Sequence, residues 1–259
     1  MYHMKAPETV RWVHTPRYVT RRNLVLHLLN RLPRGSFIDI GCGRGELLPR
    51  LAELGFWGTG LDISPAVAPV AREIVKPYSS RVRFVSDPAE LDGQKYEYLI
   101  AMEILEHLED DEAALRQWCQ WLSDDGRVII TVPAHMRYWS ASDEAVGHVR
   151  RYERAQLVEL IEKSGLTVEV LWSSGFPLRL VMTPLARFRY WRKRRASSPD
   201  VRDRTFESSF ESTLGIKRGR NLAASVIEVV GRIAHVSQLV FRERDFGDGY
   251  LALCRRVQQ

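Results

Sequence analysis

Apolar residues follow two different spacings along this chain, and the two alternate. Short runs of apolar residues are typical of buried β-strands, whereas apolar residues three or four positions apart indicate α-helices. The predicted strands lie within 36–41, 57–64, 81–86, 96–102, 166–174 and 249–257, with one more after a turn in 124–133. The predicted helices lie within 18–32, 45–55, 65–75, 109–123, 154–165 and 222–241.

This alternation predicts an α/β fold. Strands that alternate with helices form a mostly parallel sheet with helices on both faces, so we expect a doubly wound, seven-stranded sheet with a helical insertion before the last strand. The expected organisation is an N-terminal helical segment (1–34), a core (35–175), a basic helical insertion (176–247) and a final core strand (248–259).

The first predicted strand runs into the motif FIDIGCGRGE at 37–46. Its three glycines fall in the turn before a helix, where glycine lets a ligand approach the backbone and the helix offers N–H groups. The spacing G-x-G-x-G differs from the G-x-G-x-x-G of dinucleotide-binding folds, and Asp39 would repel a pyrophosphate. Asp62 ends the second strand, where a carboxylate can hold two ribose hydroxyls. A nucleoside with a cationic amino-acid tail, S-adenosylmethionine (SAM), fits both features.

Five motifs extend this observation. FIDIGCGRGE, LDIS, FVSDPAEL, YEYLIAMEILEHL and LSDDGRVIITVP resemble, in order and spacing, the motifs of class I SAM-dependent methyltransferases. The resemblance covers about residues 35–175 and the final strand. It implies a Rossmann-like methyltransferase fold.

The resemblance also implies a set of cofactor-binding residues. Asp62 would bind the ribose, Ile63 would pack on the adenine and Asp87 would face the adenine amino group. Gly41, Cys42 and Gly43 would line the amino-acid end of SAM, and Met102 and Glu103 would lie beneath its methionine part. Asp39 completes the expected set.

The segment MEILEHLED contains a second group of chemically active residues. Glu103, Glu106 and His107 occupy positions i, i+3 and i+4, so a helical turn would place them on one face, and His148 follows downstream. Two carboxylates and two imidazoles suit a divalent metal ion such as Mg²⁺, Mn²⁺ or Zn²⁺. The pattern is similar to the Glu-x-x-Glu-His turn of small-RNA 2′-O-methyltransferases and ubiquinone-pathway O-methyltransferases, which implies a metal that holds the acceptor oxygen.

The same residues also suit catalysis without a metal ion. His107 or His148 is then the candidate general base, because histidine exchanges a proton near neutral pH. Glu106 completes this predicted catalytic set.

The segment 132–157 resembles the loop that closes over the acceptor in a subset of bacterial methyltransferases. The expected pocket residues are His135, Tyr138, Trp139, Arg150, Arg151 and Tyr152. The two arginines would clamp a carboxylate or phosphate of the acceptor. The alternatives are an ion pair between these arginines and Asp143 or Glu144, and core packing for Trp139.

Composition indicates the cellular compartment in which the protein functions. The 259 residues are 45% hydrophobic and 27% charged, as in ordinary soluble domains. The three widely spaced cysteines fit a reducing compartment, and we find neither a secretory signal nor an apolar run as long as a membrane span. We therefore expect a cytoplasmic protein.

The insertion and the net charge of +6 suggest anionic partners. In 185–195, basic residues alternate with Phe188, Tyr190 and Trp191, which suits the inner face of an anionic membrane or, less well, a nucleic acid. The alternative is a solvated helix face. The helix at 222–241 is expected to cover the cleft or to form a dimer contact, so both monomer and homodimer stay open.

These patterns favour one function over two alternatives. The favoured function is a SAM-dependent methyltransferase (EC 2.1.1.-) acting on an oxygen of a small-molecule or lipid-linked acceptor. Oxygen is favoured because the chain reads MEIL where N-directed enzymes often carry an acid–Pro–Pro–aromatic turn. The alternatives are an RNA 2′-O-methyltransferase with metal-assisted catalysis and a non-catalytic cofactor-binding protein.

Overall fold

A computed structural model describes residues 12–180, 213–215 and 221–257. The strands are β1 (Trp12–His14), β2 (Ser36–Ile40), β3 (Trp57–Leu61), β4 (Val82–Val85), β5 (Tyr96–Met102), β6 (Leu122–Pro133), β7 (Leu166–Ser174), β8 (Thr213–Gly215) and β9 (Gly249–Arg256). The helices are α1 (Pro16–Leu29), α2 (Leu48–Glu53), α3 (Ala68–Val75), α4 (Asp111–Trp118), α5 (Ala141–Val146), α6 (Arg154–Lys163) and α7 (Asn221–Phe241).

Seven of these strands form one sheet in the order β4-β3-β2-β5-β6-β9-β7. The pairs from β4 to β6 are parallel, and β9 runs antiparallel between β6 and β7. β1 and β8 form a separate antiparallel pair. The predicted α/β, mostly parallel seven-stranded sheet is confirmed.

The sheet separates two apolar layers, because successive strand residues point to opposite faces. Ile38 of β2 packs in the layer that contains Leu115 of α4 and Leu157 of α6. Its neighbour Phe37 packs in the other layer, with Leu24 of α1 and Leu48 of α2. Burial on both faces explains why β2 reads as a nearly continuous apolar run.

Two local predictions were wrong. The helix expected from Pro65 begins at Ala68, because residues 65–67 form a turn in which the Val67 N–H bonds to the Ser64 carbonyl. Pro69 then occupies the first helical turn, where a missing N–H costs nothing. The turn expected at 124–126 is part of β6, since the strand pairs from Leu122 and absorbs the extra residues as a register shift opposite β5.

The insertion is described in part. Helix α7 matches the predicted helix within one residue and packs along α1. The basic segment 185–195 lies outside the described residues. Within the described part of the chain, no helix has both the length and the apolar character needed to cross a membrane.

Candidate active site

The carboxyl ends of three neighbouring strands bring the predicted site residues together. Ile40, the last residue of β2, is paired with Leu61 of β3 on one side and with Ala101 of β5 on the other. The glycine loop, Asp62 and Met102 follow directly, so they lie at the same edge of the sheet. This edge is the usual ligand position in doubly wound α/β folds.

The glycine loop has a backbone that other residues rarely adopt. Gly41, Gly43 and Gly45 have φ angles of 63°, 56° and 75°. A Cβ on Gly41 would lie 2.2 Å from Cδ1 of Ile104, so any side chain at this position would clash with Ile104. A Cβ on Gly43 would meet nothing within 4 Å. The loop therefore leaves open space beside Gly43, as a ligand that approaches the backbone requires.

Substitution of Gly43 tests whether that space belongs to the cofactor. Gly43→Ala should weaken SAM binding at least tenfold, because the new methyl group would occupy the open space (~1.4 kcal/mol). Gly93→Ala is the matched control, since Gly93 has a φ of 73° and equally open surroundings in a distant turn. We expect similar losses of stability in both variants and a loss of affinity in Gly43→Ala alone. Equal affinities would contradict a cofactor at this loop.

Asp62 is tied to the loop through its backbone neighbours. Its Oδ2 accepts a hydrogen bond from the Gly43 N–H at 2.8 Å, and its Oδ1 accepts one from the Ser64 N–H at 2.9 Å. Each carboxylate oxygen has a second lone pair, so the oriented group can also accept two ribose hydroxyls. The adjacent Ile63 is 64% exposed, which leaves its apolar surface available to an adenine ring.

Asp39 makes the site favourable to positive charge. The residue is buried, and burial together with the nearby charge of Asp62 raises the pKa of the Asp39 carboxyl to about 8. Two neighbouring acids that resist ionisation are stabilised by a cation placed between or beside them. Asp39 and Asp62 therefore favour a cationic ligand, such as one with a sulfonium or ammonium group.

The raised pKa of Asp39 predicts a pH dependence of stability. The folded state keeps a proton on Asp39 that the unfolded chain loses above its ordinary pKa of 3.8. The free energy of unfolding should therefore fall as pH rises from 3.8 through about 8, by up to about 1.4 kcal/mol per pH unit for this group. Asp39→Asn should reduce that slope in urea unfolding measured at several pH values. An unchanged slope would show that Asp39 does not carry this effect.

Helix α1 adds a cation that the sequence patterns did not indicate. Arg21 Nη1 lies 2.8 Å from Glu103 Oε2, just beyond β5. Glu103 has a φ of 57°, and its Oε1 is buried without a hydrogen-bond partner among the described residues. A strained acid with an unsatisfied oxygen is typical of a ligand site. Arg21 belongs to no motif, and only the packing of α1 over the sheet edge brings it here.

The observed contacts of Asp87 and Met102 are a turn-capping hydrogen bond and apolar packing. The Asp87 side chain is exposed and accepts a hydrogen bond from the Ala89 N–H at 2.9 Å, which caps the short turn Pro88–Leu91. Met102 is half-buried and packs against the apolar layer of α1 and α2. Cys42 is half-buried in the glycine loop. The proposed contacts of these three residues with the cofactor stay predictions.

The second predicted group lies after β5 and contains a buried acid. Glu106 is fully buried, and neither carboxylate oxygen has a hydrogen-bond partner among the described residues. Burial and the charge of Glu103 raise the pKa of Glu106 well above its usual range. The nearest imidazole is that of His148, whose Nε2 lies 3.7 Å from Glu106 Oε1.

Three of the four predicted metal ligands come together. One potential ligand atom from each of Glu106, His107 and His148 lies within 4.8 Å of the other two. Glu103 is not a member of this group. The turn is a 3₁₀ turn over Leu105–His107, and Glu103 lies outside it and pairs with Arg21. The expected helical turn therefore aligns only part of the motif.

The two histidines are oriented by fixed acceptors. Nδ1 of His107 lies 3.2 Å from the Gly147 carbonyl oxygen, which can only accept a hydrogen bond. Nδ1 of His148 lies 3.0 Å from Oδ1 of Asp143. Both rings therefore carry their proton on Nδ1 when neutral, and each Nε2 keeps a lone pair. Such imidazoles can ligate a metal or accept a proton.

Charges around the histidines support this assignment. Burial and the neighbouring His148 lower the pKa of His107 to about 4, so its ring is neutral at pH 7. Burial opposes ionisation of Asp143, but hydrogen bonds from His148 and Arg151 outweigh it and lower the pKa of Asp143 to about 2. His148 thus faces a permanent anion on one side and Glu106 on the other.

The arginines expected in the acceptor pocket have internal partners. Arg151 is buried, pairs with Asp143 at 2.8 Å and donates to the Ala134 carbonyl. This arrangement matches the ion-pair alternative. Arg150 pairs with a different acid, Asp111, at 2.9 Å, and Tyr152 donates its hydroxyl proton to the same Asp111. Because Arg150 and Arg151 both have internal partners, these contacts give no support to the prediction that they bind a carboxylate or phosphate of the acceptor.

The other predicted pocket residues form a network after β6. His135 has a φ of 61° and lies 2.8 Å from Glu153 and 3.1 Å from Asp245 through its two ring nitrogens. Tyr138 and Trp139 are half-buried, and the guanidinium of Arg179 lies 4.7 Å from the Tyr138 ring centre. Their part in acceptor binding stays a prediction.

The sheet order and the glycine loop define a class I methyltransferase fold. A family model described as "Methyltransferase domain" matches residues 14–171, which is more than half of the chain. The chain belongs to this methyltransferase family, whose class I members depend on SAM.

Curated relatives match over part of their length. The ubiquinone biosynthesis O-methyltransferase of Methylobacterium nodulans is 32% identical over 150 residues, which cover 51% of this chain and 60% of that protein. The protein of the same name from Yersinia enterocolitica is 31% identical over 107 residues, covering 39% and 44%. The chain thus spans about half the length of these relatives.

Solved structures share the fold at low identity. A coclaurine N-methyltransferase bound to N-methylheliamine and S-adenosylhomocysteine (SAH) has a TM-score of 0.57 and 15% identity, with 92% of this chain and 72% of that chain covered. The [4+2]-cyclase SpnF has a TM-score of 0.55 and 16% identity, with 93% and 81% covered. A cyclase with this fold illustrates that the reaction must be argued from the site.

Proposed function

We propose that this chain transfers the methyl group of SAM to a hydroxyl oxygen of a small-molecule acceptor. The observation that carries the proposal is the group formed by buried Glu106 and half-buried His107 and His148, together with Asp39, which favours a cationic ligand. The name of the curated relatives, ubiquinone biosynthesis O-methyltransferase, supports oxygen as the methylated atom.

We expect SAM to bind at the strand ends in a single orientation. Asp62 would accept the ribose hydroxyls, and exposed Ile63 would pack on the adenine. The backbone at Gly43 would lie against the amino-acid part, with Arg21 near its carboxylate and Glu103 near its ammonium group. The bound cofactor supplies an electrophilic methyl group on a positively charged sulfur.

The trio of Glu106, His107 and His148 would remove the acceptor proton. Methyl transfer is a displacement by the acceptor oxygen, so the oxygen must lose its proton as the new bond forms. Nε2 of His148 has a lone pair and is oriented by Asp143, which makes it the best placed proton acceptor. Asp143 also stabilises the imidazolium that results.

The same trio fits a divalent metal ion. Two imidazole nitrogens and one carboxylate are a donor set that suits first-row divalent ions, and Glu106 offers a buried carboxylate that otherwise lacks a partner among the described residues. An ion held there would act as a Lewis acid on the acceptor hydroxyl. We therefore expect acceptors with two adjacent oxygens, such as catechols.

Calorimetric titration of the metal-free protein tests the ligand set. We expect SAH to bind first, and Mn²⁺, Mg²⁺ or Zn²⁺ to give a further binding heat that disappears in Glu106→Ala/His148→Ala. Glu109→Gln, an exposed acid close by in sequence, is the matched control and should keep the metal heat. Cofactor binding without any metal heat would leave His148 as a base that works without metal. Absence of cofactor binding would contradict the proposed function itself.

A further inference from the structure

Helix α7 packs on the domain partly through small and polar residues. Gln238 is 2% exposed, donates to the Thr20 carbonyl of α1 at 2.8 Å and accepts from the Gly175 N–H at 3.2 Å. Gly231 and Ala234 are also buried, and a Cβ on Gly231 would lie 2.5 Å from Val19 of α1. Of the described side chains of α7, the buried ones are therefore those of Ala234 and Gln238, beside the buried Gly231, and half-buried Leu239 packs on the apolar layer that contains Leu24 of α1.

Four β-branched aliphatic residues of α7 point outward. Val229, Ile233, Val236 and Val240 are 54%, 66%, 64% and 73% exposed. We call these four residues the α7 seam. Within the described part of the chain, no element covers them. An aliphatic row of this kind on an ordinary solvated face would be unusual, because single exposed apolar residues are common but aligned ones mark contact surfaces.

The spacing of the seam identifies the kind of partner. Its members are separated by four, three and four residues, which is the a/d repeat of helices that pack side by side. In the sequence the same repeat continues upstream to Val226 and Leu222. A strict a/d row is the narrow contact of helix on helix, whereas a helix that covers a core has a wider apolar face.

The charge of α7 argues against a lipid surface as the partner. Helices that lie in a membrane interface carry many lysines and arginines on their polar face. Between residues 221 and 241 the charged residues are Glu228 and Arg232 alone. An uncharged row of β-branched residues does not repel an identical row, so the seam is complementary to itself, as a two-fold interface requires.

We propose that the chain forms a two-fold homodimer in which the α7 seams of two copies pack against each other. Each seam buries the aliphatic side chains of the other, which accounts for the outward position of Val229, Ile233, Val236 and Val240. The interface is independent of the cofactor site, so it stands or falls separately from the proposed function.

Sedimentation equilibrium over a concentration series tests the dimer. We expect the wild-type mass to rise to twice that of one chain, and Val236→Glu to increase the dissociation constant at least about 100-fold, because a carboxylate would be buried against its own copy. Val257→Glu is the matched control, since Val257 is a 47% exposed valine that directly follows the last strand of the sheet. It should dimerise like the wild type. At concentrations where the wild type is monomeric, thermal unfolding of both variants should match the wild type, because each substituted side chain is exposed in the single chain.

Two further measurements keep the test decisive. Val236→Thr preserves shape and should weaken the dimer even if Val236→Glu fails to fold. The double variant Ile233→Cys/Val236→Cys should form a disulfide-linked dimer under mild oxidation in either helix orientation, whereas Val257→Cys should not. A wild-type chain that stays monomeric, a dimer unaffected by Val236→Glu and Val236→Thr, or a monomer that floats with anionic phospholipid vesicles through these residues would each overturn the proposal.

Discussion

Asp62→Ala should reduce the affinity for SAM and SAH at least about 100-fold. Two ribose hydroxyls that donate to one carboxylate contribute about 1.5–3 kcal/mol each, and alanine removes both acceptors. The oriented position of Asp62 between the Gly43 and Ser64 N–H groups makes it the best defined contact of the proposed cofactor site. Isothermal titration with SAH measures the effect directly.

Two controls separate lost contacts from a disturbed loop. Asp62→Asn keeps one oxygen acceptor and the size of the side chain, so it should bind with intermediate affinity. Asp110→Ala removes an exposed carboxylate that caps α4 and belongs to no predicted site, so its effect on SAH affinity should be small. If Asp62→Ala bound SAH as the wild type does, the placement of the ribose would be wrong.

Glu106→Gln should lower the turnover number about 100-fold or more and leave cofactor affinity within a few-fold of the wild type. The substitution keeps the shape of the side chain and removes the carboxyl group that would ligate the metal or take part in proton removal. Steady-state kinetics and SAH titration on the same preparation give both numbers.

The stability of Glu106→Gln distinguishes a functional acid from a structural one. A carboxyl whose pKa is raised in the folded state destabilises that state at pH values above its ordinary pKa of 4.5. At pH 8 the melting temperature of Glu106→Gln should therefore be no lower than that of the wild type. A less stable variant with normal turnover would show that Glu106 supports the fold and not the reaction.

The sheet and the glycine loop could be predicted because both depend on local sequence. Strands buried on both faces read as apolar runs, and the turn after β2 needs residues with positive φ, so FIDIGCGRGE marks its position. The chain order of strands and helices then fixes the sheet edge where the ends meet. Boundary errors fell at the start of α3 and within β6, and the short strand pair β1–β8 and helix α5 were not predicted.

The details of the site depend on contacts between distant segments, which no local pattern shows. Arg21 reaches Glu103 only because α1 packs over the sheet edge, and this pairing separates Glu103 from the predicted metal ligands. Asp143 orients His148 through α5 and also takes up Arg151, which the motif suggested for the acceptor. The sequence spacing could predict that these residues lie near one another, but it could not predict which residues they pair with.

A labelled methyl-transfer assay tests directly whether this chain transfers a methyl group from SAM to an oxygen atom. The protein would be incubated with SAM carrying a ¹³C methyl group and a catechol, with and without Mg²⁺ or Mn²⁺, and the product analysed by mass spectrometry and NMR. We expect a ¹³C-methoxy product in the wild type and almost none in Glu106→Gln. Transfer to nitrogen or carbon across a mixed acceptor panel, or equal O-methylation by Glu106→Gln, would contradict this expectation.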